Sequence, residues 1–400
     1  MRSGTPRFIA ARLTEARDAR GVTTLIGLAG LLGVNTSSVS RWEDGKSAPT
    51  DEKVMELASK FNLRPSYFLR PPIEHGDGPV FFRSLASARK RDIGRQLARL
   101  RWFQEIAIII QHYANLPPIT IPDAVKGISY RQLRDEDIEQ IAHDLRQSWS
   151  LGDQPISNMV DVLERAGFIV GADEMGTTAL DGLCNWSQHD NRPYILLAKD
   201  KMSFFRRQMD AAHEMAHAVL HRHVTAAELK ADFELIEKQA FRLASAFLMP
   251  ATSFVLEARS PNLSTLVRLK DRWRVSIKAM IRRCSDLEVI SPDAAVQLYK
   301  YYSAKGWNRE EPLDRSIPVA KPRSLAQAVG MIVDNGVRTK EELIANEFII
   351  SARDIEELLC LEEGWFSIQT GQVIALKNQG ERHQSVPFIG GEVLTFQKRS

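Results

Sequence analysis

Apolar positions recur along most of the chain at the three-and-four spacing of a helix, and short stretches, in the centre and near the C-terminus, read as strands. Phe8, Ala11, Leu13 and Ala16 make the first stripe, which Gly21 ends. Thr24 opens a second run through Leu25, Leu28, Leu31 and Leu32, Gly33 and Val34 turn the chain, and Asn35 stands where it caps a third helix over 36–42. A fourth helix, 53–61, turns Val54, Leu57, Ala58 and Phe61 inward. Proline and glycine then break the pattern at 70–72 and 76–79, the first clear boundary. A long helical stretch over 86–113, with Trp102, Phe103, Ile106 and Ile109 spaced as core, stops at Leu116-Pro117-Pro118. Helices are expected over 135–149 and 159–166, then a strand at 168–170. A pair of strands follows at 183–186 and 194–197, across the polar turn Asp190-Asn191-Arg192-Pro193. Helices over 203–221 and 235–248 come next, and the chain stays helical to about 302, with a small three-helix unit around 263–281. Residues 312–322 read as a linker, 323–365 as helical, and 373–376 and 393–396 as short strands. The pattern predicts a mainly α fold with a small β-sheet, an α+β class.

The helix expected over 203–221 carries His213-Glu214-Met215-Ala216-His217. Four-residue spacing puts both imidazoles on one helix face, one turn apart, as two ligands of a tetrahedral zinc ion require. Glu214 lies directly after the first ligand, where it can take a proton from water activated at the site. Candidates for a third ligand are Glu228, Asp232, Glu234 and Glu237. Glu237 is favoured because it shares the inward face of Phe241, Ala244 and Leu248, where a carboxylate is costly unless paired or metal-bound. His221 and His223 read as solvated or outer-shell histidines. A His/His/Glu set suits zinc, and manganese also. The strand at 194–197, with Tyr194, Ile195 and Leu196, is expected to hold a substrate as an added strand.

The run 206–221 around this motif resembles the ImmA/IrrE metallopeptidases, as does 237–250, which is similar to that family's closing helix. The likeness extends back through Pro155-Ile156, 163–167 and 192–197. Ala216 and Phe241 depart from it, standing where the family usually has glycine and asparagine. The resemblance implies a zincin-like metallopeptidase domain, His213, His217 and Glu237 as zinc ligands, Glu214 as catalytic base, and a repressor-type transcription factor as protein substrate. Residues 251–318 resemble the helical segment that commonly follows the peptidase in repressor-fused members, carried by 272–276 and 280–283.

The N-terminal helices have a second chemistry. The layout from Thr24 to Trp42 is that of a helix-turn-helix, and the stretch 8–68, with its loop 43–49, resembles phage-repressor-type (XRE) domains. Asn35, Thr36, Ser37, Ser38, Ser40, Arg41 and Lys46 are the candidate DNA contacts, short polar or basic groups able to reach base edges and phosphates. Val39 and Trp42 point inward. Eleven Lys/Arg against seven Asp/Glu in residues 1–70 leave this segment at +4, enough for modest phosphate contact. Arg83, Arg89, Lys90, Arg91, Arg95, Arg99 and Arg101 meet only Asp92 in their window, which reads as a solvated helix face more readily than as an extension of the DNA contact.

Composition limits the rest. A chain of 400 residues, 44% hydrophobic and 26% charged, holds several modules, and a net charge of +3 confines nucleic-acid binding to a local surface. Three separated cysteines, Cys184, Cys284 and Cys360, form neither a disulfide framework nor a cysteine zinc site. No apolar run is long enough for a signal peptide or a membrane span, so a cytoplasmic protein is expected. The expected organisation is a helix-turn-helix domain (1–72), a basic helical linker (73–130), the zincin-like domain (131–250), a helical and HTH-like segment (251–318) and a C-terminal part of unassigned role (319–400). The leading reading is a DNA-binding transcription regulator, binding DNA through residues 7–68, with zinc-dependent endopeptidase activity; a homodimer is one arrangement it admits. The rival is an antitoxin-like regulator whose peptidase domain senses a signal or is proteolytically silent.

Overall fold

The computed structural model describes residues 4–76, 78–82, 89–123, 125, 127–177, 180–200 and 203–367. Met1–Phe366 form one compact unit. The strand-like runs at 373–376 and 393–396, and Arg83, lie outside the described residues.

Four helices open the chain: α1 (Ala10–Ala19), α2 (Leu25–Leu32), α3 (Thr36–Glu43) and α4 (Asp51–Phe61). Thr24 and Thr50 cap α2 and α4 by accepting from Gly27 N and Lys53 N. Gly33 ends α2 with φ 59°, a left-handed turn that costs glycine nothing and sets the angle into α3. Asn35 occupies the N-cap position of α3, but its side chain makes no capping hydrogen bond, contrary to expectation.

Then come β1 (Val80–Phe82), α5 (Lys90–Gln111), α6 (Asp135–Ser148), α7 (Met159–Arg165), β2 (Ile169–Asp173), β3 (Gly182–Ser187) and β4 (Arg192–Ala198). Helices α8 (Phe204–Leu220), α9 (Ala226–Ala231), α10 (Phe233–Leu248) and α11 (Ala251–Glu257) follow. After them lie α12 (Leu263–Trp273), α13 (Ile277–Asp286), α14 (Pro292–Ala304), α15 (Ser324–Asp334), α16 (Lys340–Glu342) and α17 (Ala352–Leu358). The fold is α+β.

The sheet order is β1-β3-β4-β2, with β2 parallel to β4 and the other pairs antiparallel. This corrects one expectation. Strand β4 is interior, hydrogen-bonded to β3 on one side and β2 on the other. Tyr194, Ile195 and Leu196 are each 0% exposed, so their backbone groups are already paired and cannot receive a substrate strand. Strand β1 follows directly on the proline and glycine break at 76–79; its three residues are too few to show an alternation.

The sheet separates two hydrophobic cores, because successive side chains on a strand point to opposite faces. On β4, Ile195 and Leu197 join the core around α8 and α10, while Tyr194, Leu196 and Ala198 join the core around α5 and the N-terminal helices. Helix α5 is thus a structural layer: Trp102 and Phe103 are 0% exposed, and Phe103 meets Tyr194 edge-on at 6.0 Å. Its basic character is only partly a solvated face. Arg99 is buried and pairs with Asp173 of β2 at 2.7 Å and with Asp354 of α17, which also takes Arg20, just after α1, at 2.6 Å. Nearby, Arg12 of α1 binds Glu105 of α5 at 2.7 Å, and Glu15 accepts from Tyr67 and Trp102. These buried ion pairs tie the N-terminal helices to α5, β2 and α17.

Residues 251–318 also pack onto the α8/α10 core, through Leu266, Trp273, Ile281 and Cys284. Lys270, 0% exposed, binds Glu311 at 2.8 Å and Asp314 at 2.6 Å, and Asp314 accepts from Ser203 at the start of α8.

Removing one member of a buried ion cluster strands the others. Arg99→Leu leaves Asp173 without its cation and should cost about 3–5 kcal/mol, read as a lower urea midpoint. Burial favours the neutral form of Asp354, but hydrogen bonds and charge from Arg20 and Arg99 outweigh it and hold its carboxyl below the usual range. A depressed carboxyl contributes stability above its unfolded-state pKa and loses it as pH falls through the lowered value, so acid should destabilise wild type more than Asp354→Asn.

Candidate functional site

Helix α8 packs against β3 and β4 on one side and α10 on the other. It has no interior glycine or proline, and Ser203 caps it by accepting from Arg206 N. Every residue from Arg207 to Leu220 is buried, including His213, Glu214 and His217. Helix α10 supplies Glu237 from its second turn.

His213, His217 and Glu237 converge so that one donor atom from each lies within 4.8 Å of the others. The two Nε2 atoms are 3.1 Å apart, and the Glu237 oxygens lie 3.4 Å from His213 Nε2 and 3.2 Å from His217 Nε2. Tetrahedral zinc, with bonds of about 2.0–2.1 Å, spaces neighbouring donors by roughly 3.3 Å. Donor types and spacing therefore fit a zinc ion. Burial favours the neutral acid of Glu237, but the facing His213 and His217 outweigh it and hold the carboxyl at about 2, so it is an anionic donor. Of the other third-ligand candidates, Asp232 binds Tyr130 and Arg131, Glu228 closes a capping box with Thr225, and Glu234 lines the adjoining cleft without joining the triangle.

Glu214 lies against the first residue of β3. A Cβ at Gly182 would come within 3.1 Å of Glu214 Oε1, so glycine there makes room for the carboxylate. The strand beside Glu214 is thus β3, not β4, and β1 pairs along its outer edge at Leu183, Cys184 and Asn185. Phe81 of β1 stacks on His217, with centroids 4.6 Å apart and planes 11° apart. Phe241 packs on His213 with centroids 4.4 Å apart.

A cleft of about 1000 Å³ opens from this centre toward α13 and α14. Asp181, Met209, Phe233, Glu237 and Phe241 line it on one side, and Lys278, Arg282 and Tyr299 on the other. Residues 251–318 thus build one wall of the cleft next to the metal candidates.

Sequence reasoning did not find Phe81, Gly182 or Gln239 at the site, and no spacing signal linked them to the motif. His221 was visible as one more turn of the histidine stripe. It is fully buried behind His217, and burial, with His217 beside it, pushes it down to about 3, so it is neutral. His223 is exposed and accepts from Arg222.

On the helix-turn-helix, Asn35, Thr36, Ser37, Arg41 and Lys46 are exposed, Ser38 and Ser40 half-buried, and Val39 and Trp42 buried at 0% and 7%. Lys46 forms an exposed pair with Asp44 at 2.7 Å. The outer face of α3 is therefore polar and free of core duties, as a groove-reading helix needs.

His213→Ala, His217→Ala or Glu237→Ala should each remove most bound zinc, measured by elemental analysis after dialysis. Glu214→Gln should retain about one ion per chain, since it supplies no ligand.

Comparison with known families matches residues 13–68 to a helix-turn-helix family and residues 163–285 to the family described as the IrrE N-terminal-like domain, peptidase M78. No curated protein matches the chain. The second match spans the sheet strands β2 to β4, α8 and α10, and the first spans α2 and α3. The chain therefore joins an XRE-type helix-turn-helix, a DNA-binding class of domain, to an IrrE/ImmA-like domain of the metallopeptidase type, in that order.

Proposed function

We propose that this protein is a DNA-binding transcription regulator that is also a zinc-dependent endopeptidase, acting on a repressor-type transcription factor. The observation that carries the peptidase half is the convergence of His213, His217 and Glu237, the last of which lines an open cleft, with Glu214 on the same helix as the histidines. A zinc ion held by these three would polarise a scissile carbonyl and lower the pKa of water to about 7. Glu214, buried beside Gly182, is the group that takes the proton of the attacking water and returns it to the leaving amine. Asp181 and Gly182 place the substrate backbone, and the side chains of α13 and α14 meet its residues across the cleft. The polar outer face of α3 would bring this activity to operator DNA.

One observation favours the rival reading, in which the peptidase-type domain is a silent sensor. Phe241 packs on His213, and β1 covers the edge of β3, so two elements must yield before an extended chain is held at Glu214.

Substrate trapping separates the two. Wild type and Glu214→Gln are expressed in the host, captured, and their bound and cleaved proteins compared by mass spectrometry. A repressor retained by the variant and cut at one site by wild type is expected. No retained protein and no differential cleavage, with DNA still bound, would establish the regulator alone.

A further inference from the structure

The second nitrogen of His217 begins a buried chain of hydrogen bonds that leaves the metal centre. His217 Nδ1 lies 3.2 Å from His221 Nδ1, and His221 Nε2 lies 3.1 Å from Gln239 Oε1. Gln239 Nε2 donates to the backbone carbonyl of Tyr130 at 2.6 Å. His217 and His221 are 0% exposed and Gln239 is 3% exposed, so each must find its partners within the protein.

We propose that His221 and Gln239 are positioning residues that hold His217 in the one tautomer able to ligate a metal. This rests on the reading of His213, His217 and Glu237 as ligands. The direction of the chain follows from its far end. A backbone carbonyl only accepts, so Gln239 turns its NH2 group to Tyr130 and its oxygen to His221. That oxygen only accepts, so the ring proton of neutral His221 sits on Nε2 and its Nδ1 is a bare acceptor. His217 must then carry its proton on Nδ1, which leaves the lone pair of Nε2 facing His213 and Glu237. Reversing the chain would set Gln239 oxygen against the Tyr130 carbonyl, two acceptors at hydrogen-bond distance in a buried site. The anchor is itself fixed: the Tyr130 hydroxyl donates to Asp232 at 2.6 Å, and Arg131 binds the same carboxylate. Stacked Phe81 holds the plane of the His217 ring while the chain sets its protonation. Outer-shell partners of this kind are worth about 10–100-fold in metal affinity.

The test is zinc affinity by competition with a chromophoric chelator, together with long-range proton–nitrogen correlations of the histidine rings in the zinc-loaded wild-type chain. His221→Leu and Gln239→Leu should each weaken zinc binding by about 10–100-fold. His221→Asn, whose amide oxygen replaces the acceptor Nδ1, should recover most of that loss, which a purely space-filling role would not predict. The spectra should show protons on His217 Nδ1 and His221 Nε2. Wild-type affinity in folded His221→Leu, or a proton on His221 Nδ1 in the wild-type spectra, overturns the proposal and leaves the metal centre standing. A wild-type chain that binds no zinc overturns both.

Discussion

Helix α8 carries Arg207, Gln208, Asp210, His213, Glu214 and His217 into the protein interior, each at most 5% exposed. A buried helix can hold that many polar side chains only if neighbouring elements supply partners for them, because an unpaired polar group in such a place costs several times a net hydrogen bond. The surrounding architecture answers this demand. Arg207 donates to the Ala198 carbonyl at the end of β4, and Gln208 bonds to Ile156 ahead of α7 and to Met159 at its first residue. Gly182 clears space for Glu214, and α10 brings Glu237 against both histidines. At the centre of this arrangement His213, His217 and Glu237 set a triangle of donor atoms with anionic Glu237 at one corner, a donor set that fits a divalent cation.

The same economy joins the two halves of the molecule. The sheet that backs α8 presents its other face to α5, and α5 meets the helix-turn-helix through Arg12, Glu105 and Glu15. Arg99 then links β2, α17 and, through Asp354, α1. A strand of the sheet that backs α8 and the end of the first helix of the DNA-binding segment thus share one buried ionic cluster, so the helix-turn-helix is packed on the body by groups that cannot be exposed cheaply.

Features set by local spacing were legible in the sequence. The i,i+4 histidines, Gly33 between α2 and α3, the inward face of Glu237 and the three main strands all follow from periods of 3.6 or 2 and from turn chemistry. Features set by pairing between distant segments were not. The hydrophobic run Tyr194–Ile195–Leu196 has the same pattern whether its strand is at an edge or inside, and only the pairing with both β2 and β3 decides it. Arg99 looks in sequence like its solvated neighbours; its burial depends on Asp173 and Asp354, which lie far along the chain. Phe81, in a three-residue strand bounded by proline, gave no periodic signal at all.

The central claim is that His213, His217 and Glu237 are the ligands of one metal ion. Anomalous diffraction from zinc-equilibrated crystals, collected on both sides of the zinc absorption edge, tests it directly. A single strong peak within bonding distance of the two Nε2 atoms and a Glu237 oxygen is expected. Absence of that peak at zinc saturation, or a peak held by other side chains with this triangle unchanged, would contradict it.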